Sequence, residues 1–269
     1  MTKHLCYIRM MIVSLVLLAF CHVAEADCAR GGLTVFPENE LLPTSAIVIG
    51  GYARSQEFID QIVAGAPLFL QSDEHVVELA VLDHKKGSFL VRQVLLQPAE
   101  VLKIGASYSI TTSPLSTDGS PMLADGSSSS ATTWGIESFS WEVVPGVDED
   151  LVCKPLAPSY SNPEVQFFGC GPSINACFSV ELSAPERQVV LARLEEVATG
   201  KVQEYYVTVQ NQQVLIGHGM CAGPFEFGSG DLFRARFQPF DLASWQDHVW
   251  SDWISFEHPS TSVLSGTRN

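Results

Sequence analysis

Apolar and polar residues alternate along much of this chain. "LFRARFQPF" (232–240) puts Phe233, Ala235 and Phe237 on one side and Arg234, Arg236 and Gln238 on the other. That two-residue period belongs to a strand with one buried and one wet face. "ACFSVEL" (176–182) repeats it with Phe178, Val180 and Leu182, and "EYYVTV" (204–209) with Tyr205, Val207 and Val209. "VVELAVL" (76–82), "SFLVRQVLL" (88–96) and "ASYSITT" (106–112) are short runs rich in β-branched and aromatic residues. "DHKKG" (83–87) predicts a hairpin turn between the first two, and "PAEVLKIG" (98–105) a connection to the third. Helical spacing is scarce. Phe58, Ile59 and Ile62 in "SQEFIDQIVAG" (55–65) predict a helix of one or two turns. Residues 185–200 read either as an amphipathic helix or as strands. Val189, Leu191 and Arg193 alternate and "EVATGKVQE" places Gly200 at a turn, so a hairpin is expected.

Two stretches interrupt the pattern. Residues 113–133 are rich in Ser, Gly and Asp and predict an exposed loop. Residues 144–164 are rich in Pro and charge, and no strand pattern crosses them, so the domain boundary is placed there. The expected fold is all-β, with two tandem Ig-like β-sandwich domains after a signal peptide. The peptide covers 1–26, the sandwiches 27–146 and 147–260, and a flexible tail 261–269.

The leader is read from its three parts. Lys3 and Arg9 form a positive region, Met10 to Cys21 an apolar run too short to span a bilayer comfortably, and Ala24-Glu25-Ala26 a small-x-small cleavage pattern. The mature chain is therefore expected to start near Asp27, to contain no membrane span, and to be secreted, periplasmic or at the cell surface. The formal charge is -15, and loss of Lys3, Arg9 and Glu25 makes it -16. So acidic a chain, with no cluster of Lys and Arg, argues against nucleic acid as a partner.

Export also shapes the reading of the cysteines. Cys28, Cys153, Cys170, Cys177 and Cys221 remain after cleavage, and outside the cytosol cysteines usually pair. The four in the second half are expected to form two bridges of unspecified connectivity, while Cys28 has no assigned role. The alternative is zinc held by Cys170, Cys177, His218 and Cys221. However, six residues separate the first two, where zinc knuckles use two to four. No metal and no cofactor is assigned.

"FPENELLPTSAIVIGG" (36–51) resembles the opening of bacterial Ig-like domains of S-layer and other exported surface proteins, with Pro43, Thr44 and Ala46 in the turn and Ile47, Val48 and Ile49 in the strand. Pro98, Leu102, Gly105, Tyr108 and Ile110 match a later pattern of that family, and "TDGSPML" (117–123) follows without the family's Asn after Gly119. The segment 233–259 resembles the last two strands of Ig-like or fibronectin-type modules, with Asp241, Leu242 and Ala243 in place and Ser244-Trp245 replacing Gly-Asn. The resemblance implies a spacer, adhesive or carbohydrate-contacting role and no known catalysis.

Chemical motifs add little. A serine-hydrolase elbow, a zincin helix, a P-loop and a dinucleotide glycine pattern are all absent. No catalytic residue is assigned. Trp245, Trp250 and Trp253, with His248, form the candidate contact surface, because a loop tryptophan stacks on a sugar ring or docks in a partner's groove. The competing reading has Trp253 begin the last strand and plug the core. The expected function is a non-catalytic structural, adhesive or binding module at the cell envelope, with an envelope glycan or another envelope protein as partner. The alternative is an envelope hydrolase using unassigned carboxylates.

Overall fold

The computed structural model describes residues 31–112, 136–146, 156–168, 171–247 and 249–260. The expected leader, the 113–133 loop and the tail lie outside these residues. So does much of the expected boundary, at 147–155, while its last residues, 159–164, are strand and not linker.

The described chain is all-β, and its longest helix has eight residues. Strands β1 (Gly32–Phe36), β2 (Glu40–Leu41), β3 (Ile47–Tyr52), β4 (Phe69–Gln71), β5 (Val76–Lys86), β6 (Val91–Pro98), β7 (Ser107–Thr111) and β8 (Ser140–Val143) form one sheet path, ordered β1-β3-β6-β5-β4-β7-β8-β2. The path turns at β5, whose first residues pair with β4 and whose remainder pairs with β6. Both arms then face one core. Ile47, Ile49, Val94 and Leu96 come from one arm, and Tyr108, Ile110, Trp141 and Val143 from the other. The helix α1 (Gln56–Val63) closes this core with Phe58, Ile59 and Ile62, the three residues its period predicts. The turn expected at 83–87 is instead strand. Asp83 to Lys86 pair with Leu95 to Arg92, and the chain reverses at 87–90, where Leu90 takes φ 51°. Charge alone does not end a strand when its side chains reach solvent.

The second half is a sandwich of two sheets. One holds β9 (Ser159–Phe168), β10 (Gly171–Ser179) and β13 (Gln213–His218), in the order β13-β10-β9. The other runs β12 (Val202–Val207), β11 (Gln188–Glu196), β14 (Leu232–Asp241), and β14 also pairs with β15 (Gln246–Asp247) and β16 (Ile254–Glu257). This is an Ig- or fibronectin-like arrangement of antiparallel sheets. Between them Phe178, Phe237, Phe233 and Phe256 pack edge-on or tilted, with ring centroids from 4.9 to 6.2 Å apart. The hairpin expected from residues 185–200 is present as β11 and β12, and Gly200 sits at its turn with φ +69°, where a side chain would be strained.

The two halves share a third apolar cluster. Ala46, Val48 and Leu95 from the first half meet Val189, Leu191, Tyr206 and Phe240 from the second. β3 and β11 are accordingly buried on both faces: Ile47 and Ile49 enter the first core while Val48 enters the seam, and Val190 and Ala192 enter the second core while Val189 and Leu191 enter the seam. Hydrogen bonds close the seam. The buried Gln93 amide donates to Tyr206 O at 3.0 Å and accepts from Tyr206 N at 3.0 Å, replacing a neighbouring strand at the edge of β12. The Tyr206 hydroxyl donates to Asp83 at 2.9 Å. Phe89 and Gly223 exchange backbone bonds, and Ala46 N donates to Leu242 O at 2.8 Å.

Candidate functional site

The wet face of β14 carries Arg234 and Arg236, and the strand register sets Arg193 of β11 beside Arg236 and Glu195 beside Arg234. Residues 249–253 cross this face. Ser251 takes both backbone groups of Phe237, its amide donating to Phe237 O at 2.8 Å and its hydroxyl accepting from Phe237 N at 3.0 Å. That fastening holds the flanking tryptophans over the arginines. Trp250 lies 4.7 Å from the Arg193 guanidinium and 4.6 Å from that of Arg236, while Trp253 lies 4.5 Å from both Arg236 and Arg234. The result is a ladder, Arg193–Trp250–Arg236–Trp253–Arg234. Each such contact contributes about 0.5–2 kcal/mol, depending on how far it is withdrawn from water.

Carboxylates neutralise the two outer arginines. Arg193 pairs with Glu204, and Arg234 with Glu195 at 2.8 Å. Arg236 has no such partner among the described residues. Burial, followed by the charge of Arg193, draws its pKa below the usual arginine value; the Glu204 and Glu195 carboxylates pull the other way, and two tryptophan rings stack against the guanidinium.

The predicted contact residues thus occupy different situations. Trp250 and Trp253 are half-buried, with the guanidinium groups stacked against them. Trp245 is 39% exposed, has φ +56°, and donates its indole N–H to Thr44 O of the first half at 2.7 Å. His248 lies outside the described residues.

Among the cysteines, Cys221 is disulfide-bonded, and Cys153 and Cys170 lie outside the described residues. Cys177 departs from its expected pairing: it is a free, buried thiol. Its place in the interior of β10 is the reason, since the neighbouring strand sets Leu215 opposite it. Burial and then the Glu164 carboxylate push the thiol up to about 11, so it remains protonated at neutral pH and is a poor nucleophile. The His218 ring accompanies Phe89, 5.5 Å away.

A second feature was invisible to sequence reasoning. Beside the seam the halves part to leave a crevice of about 450 Å³. Val35, Phe36, Val48 and Val189 make apolar wall, and Tyr205 and Tyr206 stand among them. The Tyr205 hydroxyl donates to Arg92 O at 3.2 Å, and burial raises its pKa. Thr208, Gln210, Asn211 and Gln213 supply polar groups at the rim, and no described residue accepts or donates a hydrogen bond to their side chains. Asn211 and Gln212 hold φ 51° and 60° in a tight turn closed by paired backbone bonds between Gln210 and Gln213. Two successive non-glycine residues with positive φ are uncommon and carry strain.

No protein-family model matches the chain, and no curated protein does. Solved structures show distant likeness. A pullulanase type I from Bacillus subtilis, complexed with maltose, is 10% identical with a TM-score of 0.24, and covers 81% of this chain and 24% of its own. A pullulanase from Anoxybacillus is 13% identical with a TM-score of 0.22, covering 78% and 24%. The FN1–FN3 domains of chicken CNTN1 are 10% identical with a TM-score of 0.24, covering 84% and 64%. The chain spans about a quarter of the length of either pullulanase.

Proposed function

We propose that this protein is a non-catalytic binding module exported to the cell envelope, and that it holds its partner in the crevice between its two halves. The crevice carries the reading. It offers apolar wall, polar side chains with no partner of their own, and a strained rim turn, all mounted on two sandwiches joined by a hydrogen-bonded seam. A fixed frame lowers the entropy lost on binding. The ladder suits a framing role better, because guanidinium groups already stack on Trp250 and Trp253. The disulfide at Cys221 and the leader-like N-terminus support an oxidising compartment outside the cytosol.

The reading is tested by retention of the mature chain on a panel of envelope glycans and purified envelope proteins. Thr208→Ala combined with Gln210→Ala is expected to lower retention about tenfold, equal to about 1.4 kcal/mol, with the melting temperature unchanged. Equal retention by the double variant would remove the crevice from the reading. The hydrolase alternative draws on the same place, because Glu38 and Glu164 both line it. Glycan turnover abolished by Glu164→Gln would favour that reading instead.

A further inference from the structure

Resting on that reading of the crevice, we infer that its occupant is an extended peptide segment of a partner protein carrying a basic side chain. Two independent features converge on this class. The first is charge. Glu38 and Glu164 line the crevice from opposite halves, and no Lys, Arg or His appears among its lining residues. The chain around it is strongly acidic, at -15. An ammonium or guanidinium group entering there meets two carboxylates and no competing cation, whereas an acidic group is repelled.

The second is backbone. Three sheet edges end at the crevice: β1, outermost in the first half, and β12 and β13, each outermost in its own sheet of the second half. An edge strand presents a row of N–H and C=O groups that an added strand satisfies. The edge of β12 is already answered at Tyr206 by the Gln93 amide. β1 is different. Its strand bonds go to β3, and no other described residue bonds to its backbone. Thr34, Val35 and Phe36 of β1 line the crevice, and Glu38 follows two residues on. A peptide laid along β1 therefore pairs through its main chain and carries alternate side chains toward the crevice, where Glu38 and Glu164 wait for a basic one.

The test uses the mature chain and three probes: the capped peptide Ac-TKVKTV-NH2, its acidic counterpart Ac-TEVETV-NH2, and chitotetraose, each titrated by calorimetry at low salt. The lysine peptide is expected to bind, and the acidic peptide not to. Glu38→Gln with Glu164→Gln is expected to weaken the lysine peptide about tenfold. Glu57→Gln with Glu78→Gln, which removes the same charge outside the crevice, is expected to leave it unchanged. A lysine peptide with N-methylated backbone amides is expected to lose binding as well, because strand addition needs those donors. Equal losses in the two charge-matched variants would reduce the effect to general attraction by an acidic protein and overturn the inference. Failure of the lysine peptide to bind would overturn it too. If chitotetraose binds while the lysine peptide does not, and Thr208→Ala with Gln210→Ala abolishes that binding, the crevice remains a binding site and only the peptide class falls. If no probe binds, the inference and the choice of crevice both fall.

Discussion

Leu191 and Arg193 stand two residues apart on one face of one strand, yet they meet opposite surroundings. Leu191 is buried in the seam with Val48 and Leu95 of the first half, and Val189 and Phe240 share its fate. Arg193, further along the same face, pairs with Glu204 and stacks on Trp250. Where the first half covers this sheet, the face is apolar. Where it does not, the chain covers the face itself with tryptophan and arginine. Trp250 joins the two regions, packing at the margin of the seam and entering the ladder. A sheet face thus need not be plainly wet or plainly buried. An arginine withdrawn from water survives there because an aromatic ring and a carboxylate replace part of its hydration.

The comparison breaks most visibly under exchange. Leu191→Arg places a cation beneath the first half with no described carboxylate assigned to it. It is expected to cost about 3–5 kcal/mol in chemical denaturation, the scale set by an uncompensated buried charge. Arg193→Leu on the same face is expected to cost about 1 kcal/mol, since it removes a partly exposed ion pair and one stacking contact. Similar costs for both would mean that the seam is looser than its packing implies.

A smaller effect sharpens the ladder end. In a double-mutant cycle, Trp250→Ala and Arg236→Ala are expected to couple by about 1 kcal/mol. Strict additivity would mean that the rings lie beside the arginines without stabilising them.

The smallest effect lies at the far end of the same sheet. There His258 lies 5.5 Å from Phe227 and 5.7 Å from Phe233, and accepts a hydrogen bond from Ser260 N at 3.1 Å. Burial lowers its pKa, against the opposing pull of Asp231 and Glu196. The unfolded chain then takes up this proton before the folded one. The contribution of His258 is fully present above the unfolded value of about 6.5 and is lost as pH falls below it. The fall in stability between pH 7 and pH 5.5 is expected to be shallower in His258→Gln, measured by urea denaturation. Identical slopes would show that other groups govern this range.

Much of the fold was legible because side-chain direction in a strand reverses at every residue. Phe233, Ala235 and Phe237 are buried while Arg234 and Arg236 are not, as their alternation requires, but Gln238, expected on the same wet side, is buried. The helix at 56–63 and the turn at Gly200 were legible for similar local reasons. The length of β5 was not, because Asp83 to Lys86 resemble a turn in composition and become strand only through pairing with β6. The tryptophans were recognisable as a cluster beside the arginines of β14. Their stacking partners depended on Arg193, which lies 57 positions before Trp250 in the chain.

The sequence by itself determined the all-β character, the core-facing residues Phe233, Ala235 and Phe237 of β14, and the acidity of the chain, since each follows from neighbours within a few residues or from composition. Tertiary structure alone decided which apolar faces meet across the seam, that Cys177 stays a free thiol, and that Glu38 and Glu164 share one crevice. These features join residues more than a hundred positions apart, or turn on what a neighbouring strand places opposite a side chain. No local period records either, because the free energy that selects them comes from excluding water between surfaces formed only after the strands have paired.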